Sequence, residues 1–240
     1  IGETGSAEDM AKVGEIFGTC DVPTSYIDIY NIGAVIDNAL SMMSMVDYPY
    51  ASSFITPMPA WPVTAATVAA QSEYTAHESD EMAVIYAMAG AGGIYYNYTG
   101  QIDCLDPTAG QDGDIDANGW NVLYCNEIVQ PFASNATSSM YPAAEWNETA
   151  ETEWCYDTYG ERPQFNWVFD SYGGSNPPVD FMSHSNIIFS NGELDPWRSG
   201  GVVMDINDQI LTLVIENGAH HLDLRSPNDE DPQSVTDARQ

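Results

Sequence analysis

Apolar residues recur at helical spacing along most of the chain. The first run follows a Ser-x-x-Asp capping box that begins at Ser6. A second run covers residues 34–46 and places its apolar side chains on one broad face, and a third covers residues 81–89. The pattern therefore predicts that residues 1–165 are mainly α-helical.

The pattern changes near Trp167, beyond which two short runs of apolar residues are rich in β-branched side chains. Residues 186–190 read Asn-Ile-Ile-Phe-Ser, and residues 210–215 read Ile-Leu-Thr-Leu-Val-Ile. Runs of this length and composition are typical of buried parallel strands. The sequence thus predicts a helical domain that is followed by an α/β segment, residues 166–240.

Each predicted strand leads directly into a loop that carries ionisable residues. Asp195 follows the first strand, and His220 follows the second. In α/β-hydrolases the catalytic groups lie at strand ends in the chain order serine, acid, histidine, and these two residues obey that order. A carboxylate that holds one imidazole nitrogen leaves the other free to take a proton from a serine hydroxyl. The alternative interpretation is a purely structural histidine–carboxylate pair.

Charge restricts the partners that the chain can have. It carries 36 acidic and five basic residues among its 240, for a formal net charge of -31. Such a surface repels nucleic acid and anionic membranes, so we expect neither as a partner. No apolar run of about 18 residues is present to span a bilayer. Because Ile1 follows no leader pattern, we expect a fragment whose targeting segment is absent or removed.

Cysteines and sequons favour the secretory route. Cysteine separations fit no C-x-x-C metal or redox pattern, so we expect disulfides rather than zinc at Cys20, Cys104, Cys125 and Cys155. Asn-x-Ser/Thr sequons predict glycosylation at Asn97, Asn135 and Asn147. Together these features predict a luminal or extracellular glycoprotein.

An acidic loop offers a different functional class. The sequence Asp114-Ile-Asp-Ala-Asn118-Gly119 copies the first six positions of an EF-hand calcium loop. The twelfth position is Cys125, where a bidentate glutamate is required, and Glu127 falls two residues late. We therefore favour an acidic surface loop over a calcium-binding protein and expect no metal site.

Two motifs identify a family. The runs Asn186-Ile-Ile-Phe-Ser-Asn-Gly-Glu-Leu-Asp-Pro-Trp197 and Gly218-Ala-His-His-Leu-Asp-Leu-Arg225 closely resemble the family of lysosomal Pro-X carboxypeptidase and dipeptidyl-peptidase II. The resemblance extends to most of the chain through Met45-Val-Asp-Tyr-Pro-Tyr-Ala51, Pro59-Ala-Trp-Pro62, Tyr95-Tyr-Asn-Tyr-Thr-Gly-Gln101 and Tyr172-Gly-Gly174. It implies a lysosomal, vacuolar or secreted serine-type exopeptidase that hydrolyses peptides near proline through an acyl-enzyme, without a cofactor.

The resemblance also implies a fold and a set of site residues. Residues 1–165 correspond to part of a helical cap domain inserted into an α/β-hydrolase, and residues 166–240 correspond to its C-terminal segment. The triad acid is Asp195, the base is His220, and His221 and Arg225 support that histidine. Trp197 forms an aromatic wall of the proline pocket. Arg225 pairing with nearby acids and Trp197 packing in a core are the competing interpretations.

The same resemblance pairs the cysteines as Cys20 with Cys104 and Cys125 with Cys155. Such bridges close long loops and would stabilise the cap by roughly 3 to 5 kcal/mol each in the chain-entropy model.

The sequence departs from the family in one essential respect. The family's nucleophile lies in a Gly-x-Ser-x-Gly elbow before the cap, and this chain contains no such segment. Ser171 resembles the elbow only in part, because Phe169 stands where the first glycine belongs. We therefore expect the catalytic serine upstream of Ile1. An inactive homologue that acts as a binding or storage glycoprotein is the alternative.

Features of both exopeptidase activities are present. Glu193 and the run that begins at Met45 resemble the carboxypeptidases, whereas Ala133, in place of a cysteine, resembles the dipeptidyl-peptidases. Peptides are the expected substrates, and a second copy of the chain, forming a homodimer, is a candidate partner.

Overall fold

The computed structural model describes residues 5–109, 117–135, 137–138, 141 and 143–240. These residues form two compact units. Of the described residues, the first unit comprises those within 5–109, 188–203 and 212–240, and the second comprises those within 117–187 and 204–211. Both units are mainly helical, and the described residues also form a two-stranded sheet.

Local sequence signals start the helices of the first unit. Ser6 and Ser25 each form a capping box, in which the serine hydroxyl accepts a hydrogen bond from the first helical turn. A proline, whose fixed φ suits a helix start, occupies the first position of the next helix. The bounds are α1 (Ala7–Phe17), α2 (Tyr26–Met45), α3 (Pro62–Ala76) and α4 (Ala83–Tyr96). The three predicted helical runs are confirmed, in α1, α2 and α4.

The core of the first unit is formed where α2 ends. Met43, Val46 and Tyr48 are fully or almost fully buried there, together with Met58 from the following connector. Leu222, from the segment after the second strand, belongs to the same core. The end of α2 is therefore packed directly against the segment that carries the histidines.

Four helices lie in the described part of the second unit. Asn147 caps one of them through its side-chain oxygen. The bounds are α5 (Ala117–Asn126), α6 (Glu148–Tyr159), α7 (Trp167–Tyr172) and α8 (Pro177–Asp180). The disulfide Cys125–Cys155 joins α5 to α6.

The two strands are β1 (Ile187–Gly192) and β2 (Ile210–Ile215). The amide of Ile187 donates to the carbonyl of Gln209, and that of Glu193 donates to the carbonyl of Ile215, so the strands are parallel. The prediction of strands at these positions is confirmed. The prediction that they are buried holds only in part, since Ile210 and Ile215 of β2 are buried but Ile188 of β1 is 64% exposed. A sheet of two strands has too few neighbouring elements here to cover both faces.

The remaining elements close the first unit. Short 3₁₀ helices cover Pro196–Gly200 and Leu222–Leu224, and α9 covers Gln233–Ala238. The disulfide Cys20–Cys104 lies in this unit, and both pairings implied by the family resemblance are present.

The sequence predicts neither a membrane-spanning segment nor a metal site, and only the described residues bear on these two predictions. Within them, no helix has the length and apolar character that a bilayer crossing requires. The described residues also contain no cluster of three or more metal-binding side chains. The first three positions of the calcium-like segment, residues 114–116, lie outside the described residues.

Candidate active site

The loops after β1 and β2 bring Asp195 and His220 into contact. Oδ2 of Asp195 lies 2.9 Å from Nδ1 of His220, although the residues are 25 positions apart. The aspartate side chain is only 10% exposed and the histidine side chain is 28% exposed. A carboxylate that is mostly withdrawn from water interacts strongly with an imidazole at this distance.

Backbone contacts between the two loops set this distance. The amide of Leu194 donates to the carbonyl of Gly218 at 2.9 Å. Gly192 is buried at the end of β1, where a Cβ atom would overlap the carbonyl oxygens of Gly218 and Ala219. Only glycine lets the two backbones approach this closely. Gly192 and Gly218 therefore allow the loops to come close enough for Asp195 to contact His220.

The second oxygen of Asp195 fixes the orientation of the carboxylate. Oδ1 accepts the backbone N–H of Trp197 at 2.9 Å, because Asp195 caps the 3₁₀ helix Pro196–Gly200. Both carboxylate oxygens thus have a partner. With the carboxylate ionised, Nδ1 of His220 donates to Oδ2 and the lone pair of the neutral ring resides on Nε2, as a general base requires.

His221 and Arg225 surround the pair without forming an ion pair with it. The His221 ring lies 4.2 Å from that of His220 and meets the Phe54 ring edge-on at 5.4 Å. The Arg225 guanidinium lies 4.5 Å from the centre of the Tyr48 ring and 5.5 Å from that of Phe54. Within the described part of the chain, Arg225 thus contacts aromatic rings and has no salt bridge, whereas Arg239 pairs with an aspartate.

Burial lowers the pKa of His221, and the neighbouring His220 and Arg225 lower it further. A histidine of this kind binds its proton more readily in the unfolded chain, so the folded state loses stability as pH falls below 6.5, the ordinary value. We expect His221→Asn, which tolerates the positive φ of this position, to reduce the loss of unfolding free energy between pH 7 and pH 5. Denaturant titrations at the two pH values measure this difference; an unchanged pH dependence would contradict the assignment.

Trp197 stands beside the histidine. Its ring centre lies 6.0 Å from that of His220, the two planes are inclined by 32°, and the side chain is half-buried. A flat ring that remains partly accessible next to the base can contact a bound molecule as well as pack against the protein. The structure thus brings together Asp195, His220, His221, Arg225 and Trp197, all within the first unit.

Other residues singled out from the sequence lie elsewhere. Ser171 lies in α7 of the second unit, with an exposed side chain. The sequon residues Asn97, Asn135 and Asn147 are all exposed, which glycosylation requires.

The sequence did not reveal two residues that contact this site. Met45 and Tyr48 hydrogen-bond to Trp197 and His220 from 152 and 172 positions away. Their motif was recognised only as part of a family resemblance, and no local pattern predicts contacts of such range.

Comparisons with known proteins identify the family of this chain. A family model described as serine carboxypeptidase S28 matches residues 8–240. The chain is 40% identical over 217 residues to lysosomal Pro-X carboxypeptidase of Homo sapiens, and 39% identical over 223 residues to that of Bos taurus. It is 35% identical over 238 residues to the putative serine protease pcp-1 of Caenorhabditis elegans.

The matched regions cover most of this chain but less than half of each relative. They include 90%, 93% and 88% of this chain, respectively, but only 42%, 43% and 40% of the three relatives. The chain therefore spans less than half the length of these relatives.

Proposed function

The chain belongs to the serine carboxypeptidase S28 family, and on that premise we propose that it forms part of a serine-type peptidase whose base is His220. The observation that carries the proposal is the 2.9 Å contact between Nδ1 of His220 and Oδ2 of Asp195. A carboxylate in this position selects the tautomer that leaves Nε2 able to accept a proton.

The proposed reaction proceeds through an acyl-enzyme. A serine hydroxyl, which we place upstream of Ile1, attacks the peptide carbonyl carbon while Nε2 of His220 takes its proton. The C–N bond then breaks as His220 returns the proton to the leaving amine. Water attacks the resulting ester by the same route in reverse, which releases the acid and restores the serine. Asp195 orients the imidazole and stabilises its charged form throughout.

The proposed substrates are peptides that are cleaved next to proline. Trp197 offers a flat apolar ring beside His220, and such a ring suits the face of a pyrrolidine. The similar human and bovine proteins are named Pro-X carboxypeptidases, which favours carboxypeptidase over dipeptidyl-peptidase activity. No observation on the described residues supports a homodimer, so peptides are the only partners that we propose.

The proposed location is the lysosome or the secreted space, and the proposed fold is an α/β-hydrolase with a helical cap. The lysosomal relatives and the two disulfides support the location. The parallel strands β1 and β2, each followed by a loop with a site residue, support the fold. We retain residues 1–165 as the cap and residues 166–240 as the returning hydrolase segment.

Fluorophosphonate labelling of the full-length protein that contains this chain tests the proposal. The reagent should modify one serine upstream of Ile1, and the His220→Ala variant should lose the modification because no base activates the hydroxyl. Mass spectrometry of the labelled peptides locates the serine. A folded protein that remains unlabelled would favour the inactive binding or storage glycoprotein instead.

A further inference from the structure

The C-terminal end of α2 contacts two groups of the proposed site at once. The carbonyl of Met45, the last residue of α2, accepts the N–H of His220 at 3.0 Å. The sulfur of the same methionine accepts the indole N–H of Trp197 at 3.1 Å. The hydroxyl of Tyr48 donates to the carbonyl of His220 at 3.0 Å. A short segment distant in sequence therefore reaches both the base and the proposed aromatic wall.

The contacts to His220 hold its backbone on both sides. Its N–H is bonded to Met45 and its C=O to Tyr48, so the peptide groups that flank its Cα atom cannot turn freely. The direction of the side chain toward Asp195 depends on this backbone conformation.

The surroundings of Tyr48 hold its hydroxyl in place as a hydrogen-bond donor. It is fully buried, its ring stacks on that of Tyr50 at 6.0 Å, and the Arg225 guanidinium lies over it. Burial raises the pKa of Tyr48 above its ordinary value, so the phenol remains a donor at any pH at which the protein would function. Packing therefore fixes the position of the Tyr48 ring, and the raised pKa keeps its hydroxyl protonated.

The contact to Trp197 fixes the far end of the indole. The backbone N–H of Trp197 is held by Asp195, and its ring N–H is held by the Met45 sulfur. Two points of attachment define the plane of the ring beside His220, and a ring in one plane presents a constant surface to a bound side chain. Met45 thus acts on the proposed pocket, while Tyr48 acts on the base.

We propose that Tyr48 is a positioning residue for His220 and that Met45 is a positioning residue for Trp197. The proposal rests on the proposed function, because it assigns the first contact to the chemical step and the second to substrate binding. It predicts that the two contacts affect different kinetic constants, although Met45 and Tyr48 are only three residues apart in the sequence.

Steady-state kinetics of the full-length protein on a peptide with proline at the cleavage site tests the division. Tyr48→Phe removes only the hydroxyl and should lower kcat by about 10-fold with KM unchanged. Met45→Leu keeps the volume and the backbone carbonyl but removes the sulfur, and it should raise KM by about 5-fold with kcat unchanged. Titration of the active serine with a fluorophosphonate counts only competent molecules, so partial misfolding does not lower the measured kcat.

Tyr50→Phe is the matched control, since it removes a hydroxyl from the ring stacked on Tyr48 that makes no hydrogen bond to His220 in the described structure. It should leave both constants unchanged. Equal kcat losses in Tyr48→Phe and Tyr50→Phe, or a kcat loss in Met45→Leu, would overturn the proposal in favour of general loosening of the core. An active unaltered protein with an unaffected Tyr48→Phe variant would overturn this proposal alone, whereas an inactive unaltered protein would overturn both proposals.

Discussion

Asp195→Asn is expected to lower kcat/KM of the full-length protein by about 10⁴-fold, the magnitude typical of this exchange in Ser-His-Asp triads. Asparagine is nearly isosteric, and its oxygen can still accept the N–H of Trp197. Its amide nitrogen then faces Nδ1 of His220 and donates to it. The imidazole must carry its proton on Nε2, so it cannot take one from the serine. Most of the loss should appear in kcat, measured by hydrolysis of a proline-containing peptide.

Glu216→Gln is a suitable control for the change of charge. Glu216 is exposed and lies four positions before His220, so the exchange removes the same charge near the same loop. Its activity should remain within about twofold of the unaltered protein, since exposed charges interact weakly. If Asp195→Asn retained more than about a tenth of the activity, its contact with His220 would be structural and the triad would be wrong.

Local signals made part of the fold predictable from the sequence. The capping box at Ser6 starts α1, and β-branched runs form β1 and β2 where they were expected. Asp195 and His220 could be paired because each follows one of these strands, and the ends of adjacent parallel strands lie side by side. Two local strand patterns, combined with the rule that adjacent parallel strands end side by side, thus predicted the contact between Asp195 and His220.

Other features depended on tertiary contacts that leave no local pattern. Helix α3 was not predicted, because the prolines around Trp61 indicate an irregular connector and small residues weaken the apolar periodicity that follows. The exposure of Ile188 was not predicted either, since an apolar run does not reveal which elements will cover it. Met45 and Tyr48 fall in the same class, because their partners lie more than 150 positions away.

Gly192→Ala is expected to destabilise the protein by about 1–3 kcal/mol and to lower kcat/KM by about 100-fold. The added Cβ atom would overlap the carbonyl oxygens of Gly218 and Ala219, which are backbone atoms and cannot rotate away as a side chain would. The loop that carries His220 must therefore move away from β1, and the contact with Asp195 must lengthen. Thermal denaturation measures the first effect, and peptide hydrolysis measures the second.

Gly33→Ala separates this effect from the general consequence of replacing a glycine. Gly33 is exposed within α2, and a Cβ atom there would meet no atom within 4 Å. Alanine favours the helix by up to about 1 kcal/mol over glycine, so this variant should be at least as stable as the unaltered protein and equally active. If Gly192→Ala lost stability but kept its activity, the approach of the two loops would not determine the distance between Asp195 and His220. Loss of both would show that a buried glycine outside the proposed triad sets the geometry on which the triad depends.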